Sequence, residues 1–473
     1  SVLKLDYLNV NYKNSQASLT GSIRSLKKIE NGNESPFDFK FKANASGNTT
    51  DLNDYLKTIN FIFESGKFEF EGEYNGEASD LAIFNTDATG SLKLVDSKVN
   101  FPLADIQIPI DSLRLEINND FANLETLNIN LPGKSALRVS GSINNFSDFI
   151  NNSIENEEHI STFDISSPYL NTADVVTLFD SRKKNKDRLN KNPLKIQNLK
   201  DILNTINDSY YPQGNIAIDT LIHKNLRLTD FDTYLLFDNK ENLKIQKSNI
   251  DFYEGKLHIE AVANISEPNN LPVSLTIDAT NVDIKKFAEG LEYFGSKNLE
   301  DIAKLGGIIN LNLLATGVLN NDGTLNPDSL NGELQLNLQN LTLHNYKPLM
   351  ESVVLLKENR FKELEFRPIN QTFKVVNGEI IIPRTEIQSS AIQVFAEGTI
   401  KLDDYVNIWF SVPWKNLKSN DGLSLPKKTT FDEAGAKFYI NLLQDQESVK
   451  KRKQKLHFKI KLWNSKLKNS EEE

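Results

Sequence analysis

Apolar and polar residues alternate along almost the whole chain. Phe37, Phe39 and Phe41 share one parity of "FDFKFKA", as do Phe68 and Phe70 of "FEFEGEY" and Leu113, Leu115 and Ile117 of "LRLEI". The same pattern returns with Leu257 and Ile259, with Val273, Leu275 and Ile277, and with Leu334, Leu336 and Leu338. It continues through Ile392 and Val394, Ile400 and Leu402, and Leu456, Phe458, Ile460 and Leu462. Successive side chains of a strand point to opposite faces, so each segment predicts a strand with one apolar and one polar side. Antiparallel sheets with one wet face read this way; strands buried on both faces would be continuously apolar.

Turn signals separate the segments: "NGN" at 31–33, "SGN" at 46–48, "YNGE" at 74–77, "LPGKS" at 131–135, "NNDG" at 320–323 and "VNGE" at 376–379. Asn and Gly tolerate the positive φ of tight hairpin turns, so a meander of roughly 20–25 short strands is expected. The alternation slips at Asn340, between Leu338 and Leu341, which predicts a bulge or a turn there. Helical spacing is confined to 171–188, 194–208, 283–304 and 347–359. These segments read as caps or covers on a β framework.

The fold class expected is therefore mainly β: a long curved antiparallel sheet of repeated β-hairpins forming an elongated groove, with a few short helices as caps or covers. The expected organisation is N-terminal β repeats over 1–150, a partly helical insertion or linker over 151–210, a β region over 211–415 with a helical insertion near 283–304, and C-terminal strands and tail over 416–473. Related units of a Gly, an alternating strand, a break and another strand recur without a strict period, which disfavours a propeller or a leucine-rich horseshoe.

Composition adds exclusions. The 473 residues carry a formal net charge of −10, which disfavours a nucleic-acid partner. There is no Cys, so disulfides, thiolate metal sites and Cys nucleophiles are ruled out. No apolar run approaches the ~18–20 residues that span a bilayer. The start "SVLKLDYLNVNYKN" has neither an initiator Met nor a leader pattern and reads as part of a longer protein.

Catalytic chemistry finds no foothold. The five His residues have no metal-ligand spacing; His258, His344 and His457 fall opposite the apolar parity of their strands. HExxH, GxSxG, GxGxxG and P-loop motifs are absent. Glu69, Glu71 and Glu73 alternate as a polar sheet face rather than as a paired acid and base. The basic runs at 182–188 and 450–455 suit anionic headgroups in principle and solvated surfaces by default. No enzyme activity and no cofactor are expected. The apolar face remains, and two readings of it stand: a plain core, or a groove for apolar ligands.

"LNGELQLNLQNLTLHNYKPLMESVVLLKENRFKELEF" and "FKVVNGEIIIPRTEIQSSAIQVFAEGTIKLDDYVNIWFSVPW" resemble the C-terminal region of AsmA-like proteins of the Gram-negative envelope. "STFDISSPYLNTADVVTLF" (161–179) is similar to a segment ahead of that family's later repeats. The ordered markers are Asn377-Gly378, Ser389-Ser390 and Gly398-Thr399. The resemblance implies the periplasmic part of an inner-membrane protein anchored by one N-terminal helix that this chain lacks. The wider group, with TamB-like and bridge-like proteins, is linked to moving phospholipids between membranes. Phospholipids and the inner membrane are thus the implied partners, with outer-membrane proteins as further candidates; no catalytic residue carries over. Groove candidates are Leu257, Ile259, Val273, Leu275, Ile277, Leu334, Leu336, Leu338, Ile392, Val394, Ile400 and Leu402. The rival function is a non-enzymatic envelope scaffold or assembly factor with a closed β core.

Overall fold

The computed structural model describes residues 2–25, 37–56, 61–78, 83–101, 106–119, 121–131, 133–144, 160–175, 211–223, 226–238, 242–266, 271–290, 305–320, 325–344, 362–401, 405–414, 430–444 and 457–459. The fold is mainly β, with 24 strands among these residues. The chain divides into two compact units, Ser1–Lys224 with Asp230–Lys244, and Asn225–Thr229 with Ile245–Glu473.

The first unit opens with β1 (Val2–Tyr12), β2 (Ser15–Ser25) and β3 (Phe37–Asn48), followed by helix α1 (Thr49–Leu56). Then come β4 (Ile62–Ala78), β5 (Ile83–Phe101), β6 (Ile106–Asn118), β7 (Phe121–Asn130), β8 (Ala136–Asn144), β9 (Ile160–Ser167), β10 (Leu170–Asn171) and β11 (Tyr211–His223). From β1 to β9 each strand pairs antiparallel with the next. The division between the units falls within β12 (Leu226–Asp238) and β13 (Asn242–Phe252).

The second unit continues with β14 (Gly255–Asn264), β15 (Leu271–Asp283), helix α2 (Ile284–Gly290), β16 (Leu305–Leu319) and β17 (Asn331–His344). It ends with β18 (Glu363–Glu365), β19 (Ile369–Val376), β20 (Glu379–Gln388), β21 (Gln393–Lys401), β22 (Tyr405–Pro413), β23 (Lys437–Gln444) and β24 (His457–Lys459). Strands β18 and β19 both pair with β17, and the meander then runs β19 to β24.

Several expectations are met. Asn340 sits in a bulge: Gln339 faces Ile308, Thr342 faces Gly306, and Asn340 takes a left-handed φ of 51°. Asn377 and Gly378 form the β19–β20 turn with φ of 49° and 78°, the signature of a mirror-image hairpin turn. Residues 131–135 connect β7 to β8.

Others are corrected. "YNGE" at 74–77 is no turn: Asn75 and Gly76 continue β4, facing Lys40 and Phe39 of β3. Pairing along the whole of β3 outweighs the local turn preference, so β4 runs 17 residues and β5 19, longer than the short strands expected. "SGN" at 46–48 leads into α1, an unexpected helix. The sheet is also not purely antiparallel, because β9 and β10 run parallel to β11 in one continuous register. Parallel neighbours need a crossover of about a dozen residues or more, and the 39 residues between β10 and β11 provide it. Of the expected helices, 171–188 is described as helical over 172–175, and 283–304 as α2, with Asn171 and Asp283 ending strands; 176–188 and 291–304, with 194–208 and 347–359, lie outside the described residues. So do the two basic runs, most of 151–210 and most of 416–473.

Candidate apolar binding face

Register turns the one-dimensional alternation into rows that cross the strands. In the second unit Ile259, Ile277, Leu313, Leu334 and Phe373 lie directly opposite one another from β14 to β19. A second row holds Leu257, Ala279, Leu311 and Leu336. A third holds Ala261, Leu275, Ala315, Gly332 and Val375, and passes through Ile380 and Ile400 to Val406. Adjacent cross-strand side chains stand ~5 Å apart, so each row is a continuous apolar strip. Small residues in the third row make it shallower than its neighbours.

The candidates divide by burial. Leu257, Ile259, Val273, Leu275, Ile277, Leu334, Leu336, Leu338 and Ile400 are all half-buried. A closed core would bury them nearly completely, as it does Val282 at 0 % exposure beside Ile309 and Ala279. That deep cluster is covered by Ile284 and Phe287 of α2 and by Tyr253. Ile392 is different: it is buried with Leu364 and Ala391, and half-buried Val394, Leu343 and Phe366 pack around them. Ile392 precedes β21, in a turn where Ser389 N donates to Ile392 O (2.8 Å) and Ile392 N donates to Ser389 Oγ (3.0 Å). Leu402 lies outside the described residues. Leu311 and Leu313 were missed as candidates, although "INLNL" at 309–313 carried the signal, as was Phe373.

The opposite face of the second unit is an amide ladder. Asn310, Asn337 and Asn370 occupy matching positions on β16, β17 and β19. Asn310 Nδ2 donates to Asn337 Oδ1 at 3.1 Å, Asn337 Nδ2 donates to Asn370 Oδ1, and Asn281 N donates to Asn310 Oδ1 at 2.8 Å. Nearby, Asn312 Nδ2 donates to Asp278 Oδ1.

The first unit repeats the arrangement with other residues. One row runs Phe68, Leu94, Leu113, Leu127, Val139, Ile165 and Ile216 across seven strands. Its neighbour runs Ala17, Ala45, Phe70, Leu92, Leu115, Leu124, Gly141 and Phe163. Burial falls along β4, from Phe68 at 5 % exposed, through half-buried Phe70, to Tyr74 at 41 %. The polar face here is ionic: Lys42 meets Glu71 (2.9 Å), Lys93 meets Glu69 (3.3 Å) and Arg114 meets Glu125 (2.8 Å). The Glu71 carboxylate holds the Lys42 ammonium above its ordinary range, and the Arg24 guanidinium holds Asp38 below the usual carboxylate range. In the second unit Tyr405 OH donates to Glu379 Oε1 at 2.7 Å, a bond that, with burial, raises the phenol.

Among the described residues no cluster of three or more His, Asp or Glu could hold a metal, and no helix is long and apolar enough to cross a membrane. His258 is exposed, its Nδ1 within 2.9 Å of Ser248 O, and His344 stands 3.7 Å from Glu363. Comparison of the chain with family models, curated proteins and solved structures finds no match.

Proposed function

We propose that the chain is a lipid-binding module of an AsmA-like envelope protein, sheltering phospholipid acyl chains on its apolar sheet face and helping to move lipids between inner and outer membranes. The observation that carries this reading is the half-burial of continuous cross-strand rows, above all Ile259–Ile277–Leu313–Leu334–Phe373. Covering such a row with an acyl chain recovers ~0.8 kcal/mol per methylene. Headgroups stay in water, and no step requires a catalytic group. Periplasmic placement and an inner-membrane anchor are what the resemblance implies and belong to the same proposal.

One observation favours the rival scaffold reading locally. Around β21 both faces are covered, with Phe395 4 % exposed under Phe431 (ring centroids 5.1 Å apart) and Ile392 buried on the other side. That block is core.

The test is lipid extraction and mass spectrometry of the chain purified without detergent, beside the Ile277→Asp and Leu334→Asp variants. Phospholipid in the wild type, lost in folded variants, supports the lipid-binding reading. A lipid-free wild type that binds none from vesicles leaves the scaffold reading.

A further inference from the structure

In a meander the third strand ends beside the turn that joins the first two, so a helix starting there falls onto that turn. This happens three times, each time six strands further on, with β1, β7 and β13 opening about 120 residues apart. Helix α1 follows β3, a helical turn over 172–175 follows β9 and β10, and α2 follows β15. Each starts on the same short pattern: "NTTDL" at 48–52, "NTADV" at 171–175 and "TNVDI" at 280–284.

The Asp of the pattern reaches the turn in the first two copies. Asp51 is 4 % exposed, and its Oδ2 accepts from Asn14 N (3.0 Å) and Ser15 Oγ (2.7 Å), at the β1–β2 turn. Asp174 Oδ2 accepts from Lys134 N (3.3 Å) and Ser135 Oγ (2.6 Å), at the β7–β8 turn. Gly133, at φ 102°, lets that carboxylate in: a Cβ there would lie 2.4 Å from Asp174 Oδ1. In the third copy Asp283 N donates to Tyr253 O (3.0 Å) in the β13–β14 turn, and the carboxylate caps its own helix by accepting from Lys286 N (2.8 Å).

The first and third copies match further along the helix. Four residues after the Asp, an aromatic ring meets the last residue of the first strand edge-on: Tyr55 on Tyr12 at 5.2 Å, and Phe287 on Phe252 at 5.9 Å. Three residues after it, an ion pair closes onto the turn: Asp54 with Lys13 and, with the charges exchanged, Lys286 with Glu254. The residue directly after the Asp, Leu52 or Ile284, packs on the buried cluster below. Both turns hold a non-glycine residue at left-handed φ, Lys13 at 51° and Tyr253 at 46°. Such a conformation persists where the surroundings hold it.

We infer that the three are copies of one repeated element in which the helix locks a hairpin turn, and that each lock opens as a unit of its own. Exchanging both charges keeps the attraction, and replacing both Tyr rings by Phe keeps the ring contact. Local units of this kind open at lower free energy than the whole fold. This holds whatever the apolar face binds.

The experiment is amide exchange read by mass spectrometry on the full chain and its Asp51→Ala, Asp174→Ala and Phe287→Ala variants. Asp51→Ala should speed exchange about tenfold or more over 13–15 and 49–56, and leave 253–255 and 284–290 at the wild-type rate. Phe287→Ala should do the reverse, and Asp174→Ala should act on 133–135 and 172–175 alone. Unchanged exchange at a variant's own turn and helix overturns the lock. Faster exchange at all three turns from one variant, or loss of the whole fold, overturns their independence. A charge exchange tests the equivalence of the copies. Lys13→Glu alone should speed 13–15 about threefold, and Lys13→Glu with Asp54→Lys, which installs the polarity of the third copy, should restore the wild-type rate. A double variant no slower than the single one overturns that equivalence.

Discussion

The two units solve one problem with different outer faces. Both set an apolar row pattern on one side of the strands. The first backs it with Lys–Glu and Arg–Glu pairs such as Lys42–Glu71 and Arg114–Glu125, the second with the Asn310–Asn337–Asn370 ladder. The inner faces differ too. In the first unit the rows are deep beside α1 and grow exposed toward Tyr74. In the second they are deep beside α2 and again at the far strand ends, where Gly317 lies under Leu325 and Leu330 and Leu271 is 1 % exposed. Alternation fixes which side is apolar; what covers the strand ends decides how much of that side is core.

The largest effects should come from the covered ends. Leu94→Ala removes a 2 % exposed side chain from the cluster under α1 and should cost about 3 kcal/mol, because the cavity cannot collapse against paired strands. Tyr74→Ala, on the same face toward the opposite strand ends, should cost about 1 kcal/mol or less, since its ring already meets water. Urea unfolding followed by amide exchange in unit 1 measures both. Equal losses would mean that the face is covered along its whole length.

A turn variant ranks next. Gly378 has φ 78°, donates its N–H to Leu330 O at 2.9 Å, and would place a Cβ 2.3 Å from Pro327 O. Gly378→Ala should therefore cost about 2 kcal/mol through left-handed strain and the clash. All three Trp residues belong to the second unit, so fluorescence follows its unfolding directly. A loss below the error of the midpoint would show that the turn shifts without resistance.

How far the sequence speaks is clear from such positions. Asn377-Gly378 and the slip at Asn340 were legible because a left-handed residue leaves a local mark. Asn75-Gly76 carries the same dipeptide but continues a strand, since its partners on β3 lie some 35 residues away and no local rule weighs them. α1 escaped because its Thr49-Thr50 start prolongs strand-like sequence; the apolar spacing of Leu52, Tyr55 and Leu56 behind Asp51 was the usable sign. The parallel β9–β11 pairing spans the whole insertion and left no trace in alternation. Of the candidate face, parity was readable residue by residue, and ten of twelve candidates are half-buried strand positions. Their order in rows was not readable, because bulges such as those at Asn281 and Asn340 reset the register.

The polar faces give smaller effects. Asn337→Ala removes a rung that accepts from Asn310 and donates to Asn370, and should cost about 1 kcal/mol. Lys42→Ala, at an exposed ion pair, should leave unit 1 unchanged within error. The reverse ranking would make the ionic face the stronger of the two.

The smallest effect sharpens the comparison through pH. The hydrogen bond from Arg24 holds Asp38 below its ordinary value of 3.8, and the hydrogen bonds from Lys13 and Tyr12 do the same for Asp54. A carboxyl whose pKa is lower folded than unfolded binds its proton more readily in the unfolded chain. It contributes stability above the unfolded value and loses that contribution as pH falls through the folded one. The Asn310–Asn337–Asn370 ladder has nothing to titrate. Between about pH 5 and pH 3, amide protection of β1 to β3 should therefore fall before that of β16 to β19. Molar salt at neutral pH should shift it in the same direction by screening the exposed pairs. Asp38→Asn should flatten the acid response at the start of β3 while leaving α1 to Asp54. Parallel loss in both units on acidification would mean that the ionic face is decoration on a sheet held by its apolar rows alone.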